Sequence, residues 1–128
     1  MGDGREMEFD LVAASLRADA RDLGSFLEAL AVKLGEALPG AVEVERAGGL
    51  FKRSHAVRRL RVALGDRVYV VEKTPAGVRC EVAHSVRGIT VKSESLPLDA
   101  WIEGLSRQLA EEAQSSSEAR AALERLLI

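Results

Sequence analysis

Apolar and polar positions change period twice along this chain, which divides it into three regions. In the first, Leu16, Leu23, Leu27, Leu30, Leu34 and Leu38 recur at helical spacing, with Ala20 and Ala31 filling the same stripe. Residues three and four apart share a helix face, so the spacing predicts an amphipathic helix after a polar tail over residues 1–8. Asp19 or Asp22 could cap a fresh start within it, Gly24 weakens its interior and Pro39-Gly40 ends it, which leaves one piece and two pieces both open.

From residue 41 the period falls to two, the mark of strands. Val42 and Val44 alternate with Glu43 and Glu45, and Leu60, Val62 and Leu64 alternate with Arg59, Arg61 and Ala63. Gly65-Asp66 offers a two-residue hairpin turn, Thr74-Pro75-Ala76-Gly77 a second, and a third must fall between Ser85 and Gly88. A two-residue loop dictates which residues face each other across a hairpin. The first turn sets Val62 opposite Tyr69, Leu60 opposite Val71 and Arg59 opposite Glu72; the second, on Pro75-Ala76, sets Val71 opposite Cys80, Tyr69 opposite Val82 and Glu72 opposite Arg79. A third turn on Val86-Arg87 sets Val82 opposite Val91, His84 opposite Ile89 and Glu81 opposite Lys92. One face then gathers Leu60, Val62, Leu64, Tyr69, Val71, Val78, Cys80, Val82, Ile89 and Val91.

The first strand joins the pattern with Val44 opposite Leu60, Glu45 opposite Arg59 and Glu43 opposite Arg61. The outer face then reads Glu45, Arg59, Glu72, Arg79 in one row and Glu43, Arg61, Val70, Glu81, Lys92 in the next. Opposite charges across strands contribute about 0.2–1 kcal/mol per pair, and a slip of one residue would turn charges into the core.

Helical spacing returns in the last third. Pro97 suits a first helical position ahead of Leu98, Trp101, Ile102, Leu105 and Leu109; Ser115 and Glu118 have capping-box spacing, and Leu123, Leu126 and Leu127 follow. The expected fold class is α+β: a two-layer sandwich over residues 1–128, in which an antiparallel meander in order 1-2-3-4-5 carries the N- and C-terminal helices on one face.

At 128 residues, 47% hydrophobic and 30% charged with a net charge of -2, the composition is that of one folded domain and nominates no polyanionic partner. The lone cysteine, Cys80, excludes an internal disulfide, and no apolar block follows a basic stretch at the start, so a reducing, cytoplasmic setting is expected. No apolar run is long enough to span a bilayer.

Candidate chemistry is sparse. Cys80 and His84 suggest a nucleophile and base, but four residues along a strand separate them by about 13 Å. Cys80 reads better as a small core residue, and His84 as a structural histidine at a sheet end. His55, His84 and Cys80 lack zinc spacing, and no phosphate loop or nucleophile elbow occurs. No catalytic residue, cofactor or metal is nominated.

Two segments could make contacts. Between Arg46 and Arg61 lie Arg46, Lys52, Arg53, Arg58, Arg59 and Arg61 with no acid among them. Within it, the loop over residues 47–57 sets Leu50 and Phe51 beside Lys52, Arg53 and His55, an unusual grouping for a connector. Either Phe51 folds back over the sheet edge or the loop is a contact site. Leu123, Leu126 and Leu127 form a candidate dimer surface if they exceed what the sheet can bury, and otherwise pack within the chain.

The segments Asp22-Leu23-Gly24-Ser25-Phe26-Leu27-Glu28-Ala29-Leu30 and Lys92-Ser93-Glu94-Ser95-Leu96-Pro97-Leu98-Asp99-Ala100-Trp101 resemble uncharacterised proteins of high-GC Gram-positive bacteria, which implies a bacterial cytosolic setting and no assigned activity. The arrangement of helix, meander and helix is also loosely similar to type III secretion chaperone and YbjN-like domains, without the helix those proteins place among the sheet connections. The expectation is a non-catalytic protein-binding or adaptor domain, homodimeric, with an unidentified protein partner. The alternative is nucleic-acid or anionic-surface binding through Arg46, Lys52, Arg53 and Arg58.

Overall fold

The computed structural model describes residues 11, 13–14, 22–48 and 56–127. Helix α1 spans Leu23–Ala37, strands β1 to β5 span Val42–Arg46, Val57–Leu64, Arg67–Thr74, Gly77–Val86 and Ile89–Leu96, and helices α2 and α3 span Leu98–Glu112 and Ser117–Leu126. The strands form one antiparallel sheet in order β1-β2-β3-β4-β5, the expected meander of an α+β fold. The polar tail over residues 1–8, together with Leu16 and Ala20 of the first helical stripe, lies outside the described residues.

Asp22 settles where α1 starts. Its backbone is extended and its Oδ1 accepts from the Ser25 backbone N–H at 3.3 Å, satisfying a donor the helix leaves open. That bond, with a second from the Ser25 hydroxyl to Oδ2 at 3.0 Å, holds the Asp22 carboxyl below its ordinary value. At the other end the Leu38 N–H bonds back to Leu34, and Pro39-Gly40 turns the chain toward β1. The later caps sit one residue from their expected places. Pro97 is the N-cap of α2 rather than its first residue, and Ser116 rather than Ser115 caps α3, its hydroxyl accepting from the Ala119 N–H.

Strand pairing follows the expected register across β1 to β4. Val44 faces Leu60, Val62 faces Tyr69, Val71 faces Cys80 and Glu72 faces Arg79. Ion pairs form in the first outer row, where Arg59 lies 4.0 Å from Glu45 and Arg79 3.8 Å from Glu72, and at the start of the second, where Arg61 reaches Glu43 at 3.2 Å. The Lys92 end of the second row is lost, because Glu81 faces Ser95.

The third turn departs from expectation. It is Arg87-Gly88, with φ of 53° and 82°, and Val86 pairs with Ile89. A turn centred on Val86-Arg87 would ask a β-branched residue to take a positive φ, which its crowded side chain resists; moving one residue on gives that position to a glycine. A bulge then shifts the ladder between His84 and Ser85, so that His84 faces Lys92, Val82 faces Glu94 and Cys80 faces Leu96. The expected partners of Val82, His84 and Glu81 on β5 are therefore corrected. Lys92 and Glu94, not Ile89 and Val91, share a face with Val82.

The helices cover only part of the sheet. Helix α1 lies over β1 and β2, α2 crosses β2 and β4, and α3 packs between α1 and α2. Beneath them Leu60, Val62, Tyr69, Val71 and Cys80 are buried against Phe26, Leu27, Leu30, Trp101, Ile102 and Leu105. Val78, Ile89 and Val91, expected in this core, are 37%, 68% and 61% exposed. Cys80 is the one buried residue of β4, and β5 has none.

Glu28 on α1 ties down the start and end of the segment that joins β1 to β2. One of its oxygens accepts from the Arg46 guanidinium at 2.7 Å and from the Val57 backbone N–H at 3.3 Å. The Arg46 bond holds the carboxyl below its ordinary value of 4.5, against a smaller opposing effect of burial. A carboxylate with a lowered folded pKa contributes stability above its unfolded pKa and loses it as pH falls through the folded one. Acid titration of wild type against Glu28→Gln, followed by circular dichroism, is expected to show wild type losing its advantage below pH 4.5.

Candidate functional site

The segments singled out in the sequence fare differently. Leu50, Phe51, Lys52, Arg53 and His55 lie outside the described residues. Arg46 is ion-paired with Glu28, and Arg58 bonds both Glu45 and Glu72, the latter at 3.3 Å. Two of the four cations needed for an anionic-surface site are thus matched by acids from neighbouring elements. The terminal leucine surface is corrected: Leu123 and Leu126 are 0% and 1% exposed within the chain's own core, and Leu127 alone is open, at 40%. The apolar stripe of α3 packs against α1 and α2, so two of these three leucines are covered within the chain.

Cys80 and His84 both sit on β4 but in different settings. Cys80 is buried, and burial pushes its thiol up to about 11. Since the thiolate is the reactive form, the native protein is expected to resist a disulfide reagent at neutral pH and to release one reactive thiol per chain on unfolding. A rapid native reaction would show the strand opens. His84 lies on the inner face near the sheet end, opposite Arg67, with its Nε2 3.3 Å from Asp66 Oδ2. Among the described residues no cluster of three or more His, Cys, Asp or Glu is placed to hold a metal.

The arrangement that sequence reasoning missed lies beside α2, where the helix layer stops short of β5. A cleft of about 330 Å³ opens there. Its floor is the inner face of β3 to β5, with Arg67 and Tyr69 on β3, Val82 and His84 on β4, and Lys92, Glu94 and Leu96 on β5; Gly104 of α2 forms the wall. Each floor residue follows from register. The bulge between β4 and β5 turns Lys92 and Glu94 inward, next to Val82 and His84.

Tyr69 is fixed between core and cleft. Its ring meets Trp101 edge to face at 6.2 Å, and its hydroxyl donates to Gln108 Oε1 at 2.9 Å, with the Gly104 carbonyl at 3.2 Å. Gln108 in turn donates to the Leu64 carbonyl at 3.1 Å, so a buried relay joins α2 to the end of β2. Burial pushes the phenol above its ordinary pKa, against the opposing pull of a hydrogen bond from Arg67. The cleft therefore offers apolar Val82 and Leu96 and charges of both signs at Arg67, Lys92 and Glu94, with the buried Tyr69 beneath them.

Gly104 is the helix residue of the cleft lining. It lies inside a helix, where glycine costs about 1 kcal/mol relative to alanine. A Cβ there would meet Tyr69 at 3.5 Å, an ordinary contact, so packing alone does not demand the glycine. Its backbone lies directly over the buried Tyr69 ring, whose hydroxyl is 3.2 Å from the Gly104 carbonyl. The signal was legible in part: Lys92-Ser93-Glu94-Ser95 is polar at every position, which a strand roofed by a helix would not be.

No protein-family model, no curated protein and no solved structure matches this chain.

Proposed function

We propose that this chain is a non-catalytic protein-binding or adaptor domain whose contact surface is the open inner face of β3 to β5. The observation that carries the reading is the cleft lining, in which half-buried Val82 and Leu96 stand beside Arg67, His84, Lys92 and Glu94, with Gly104 of α2 as the wall. Rigid strands present the groups, and clefts of this mixed lining suit a peptide segment with an apolar anchor next to charged residues. The buried thiol, and the separation of Cys80 and His84 along one strand, support a binding role over a catalytic one.

Peptides selected from a displayed library on wild-type protein test this. Binding is expected to persist on Gly104→Ala and to fail on Gly104→Leu, whose side chain would occupy the cleft while helical content stays unchanged by circular dichroism. Binders indifferent to Gly104→Leu would contradict the reading. Peptides bound only at low salt, and lost on Lys52→Glu with Arg53→Glu, would favour the anionic-surface alternative instead.

A further inference from the structure

The sheet has two edges, and they are built differently. Edge strand β1 has five residues, a bulge between Glu45 and Arg46, and acids at Glu43 and Glu45. Antiparallel pairing of β1 with a second copy about Val44 would set Glu43 against Glu45, a repulsion that guards the edge. Edge strand β5 has eight residues, all exposed but Leu96, and pairs regularly with β4 from Lys92 to Leu96.

We propose that β5 is a homodimer seam, pairing antiparallel with β5 of a second copy about a two-fold axis at Ser93. An axis perpendicular to the sheet is the arrangement that sets two copies of one edge strand side by side and antiparallel, and it keeps both helix layers on one side. Inner-face residues then oppose inner-face residues, so the axis must pass at a residue and not between two. Centred on Lys92, the seam would set lysine against lysine. Centred on Glu94, it would set glutamate against glutamate. Centred on Ser93, it sets Lys92 of each copy opposite Glu94 of the other, twice over.

Neither Lys92 nor Glu94 has an ion-pair partner among the described residues, so both are available for this pairing. Exposed Val91 and Ile89 fall toward the ends of the same seam and lose water contact with it. The inner faces of β4 and β5 from the two copies become one floor between their α2 helices. This inference goes beyond the binding role; the seam shares Lys92 and Glu94 with the cleft, whereas Gly104 lies off the seam.

Light scattering after size-exclusion chromatography tests it by charge exchange. Wild type is expected to be a dimer. Lys92→Glu, which sets acid against Glu94, and Glu94→Lys, which sets base against Lys92, are each expected to be folded monomers, and the double exchange is expected to restore the dimer. Ser93→Cys is expected to cross-link on oxidation, since residues directly opposite lie about 4.5–5.5 Å apart at Cα, within disulfide reach. Ser95→Cys, opposite Val91 and not its own counterpart, is expected not to. A monomeric wild type, or a dimer that survives both single reversals, would overturn the proposal, and Lys92 and Glu94 would then be charges that guard the edge. Gly104→Leu is expected to leave the dimer intact, which separates failure of the seam from failure of the cleft.

Discussion

Trp101→Ala is expected to lose about 3–5 kcal/mol of stability. Trp101 is fully buried, and it joins α2 to both β3 and β4. Its ring packs edge-on against Tyr69 of β3, and its Nε1 donates to the Glu81 carbonyl of β4 at 3.3 Å. Truncation opens a cavity at the base of the cleft and leaves that carbonyl without its donor. Domains of this kind hold about 5–15 kcal/mol in all, so the variant should sit near its unfolding midpoint at moderate temperature. Urea unfolding followed by circular dichroism measures the loss, because the chain's only tryptophan is the residue removed. Trp101→Phe, which keeps most of the ring volume but not the N–H, is expected to recover more than half of it. A loss below about 1 kcal/mol for the alanine variant would mean that α2 is not anchored here.

Leu123→Ala is expected to cost about 2–5 kcal/mol, whereas Leu127→Ala should fall within about 0.5 kcal/mol of wild type. The contrast separates the two roles open to the terminal leucines. Leu123 is fully buried where α3 wedges between α1 and α2, while Leu127 is open at the helix end. The Arg125 to Glu36 ion pair ties α3 to α1 at the surface but contributes little beside that burial. Thermal unfolding of the two variants, each checked for oligomeric state, measures the difference. If Leu123 were an interface residue instead, its truncation would change the association state and leave monomer stability nearly intact.

Much of the fold is legible in the sequence because its strands carry charges on alternate positions. The paired acids and bases of Glu43, Glu45, Arg59, Arg61, Glu72 and Arg79 leave one register from β1 to β4, and two hairpin turns with unambiguous chemistry enforce it. Legibility ends at Val86. The third turn has no proline or paired glycine to place it, and the bulge beyond it has no sequence mark. Two small shifts there move Ile89 and Val91 out of the expected core and bring Lys92 and Glu94 to the inner face.

The cleft is a consequence of those same shifts. Periodicity finds residues that must be buried, and it passes over a surface that exists because a helix layer stops early. The terminal leucines were open to two readings for a related reason: an amphipathic stripe says that a face is covered and not what covers it. In this chain the covering surface is the groove between α1 and α2.

Mapping amide shifts while a selected peptide is titrated into isotopically labelled protein tests the binding role most directly. The expected result is a set of perturbations over Tyr69, Val82, Lys92, Glu94 and Gly104, with Arg59, Arg61 and Arg79 on the outer face unmoved. Perturbations confined to the outer face or to residues 47–57, with the cleft silent, would contradict it.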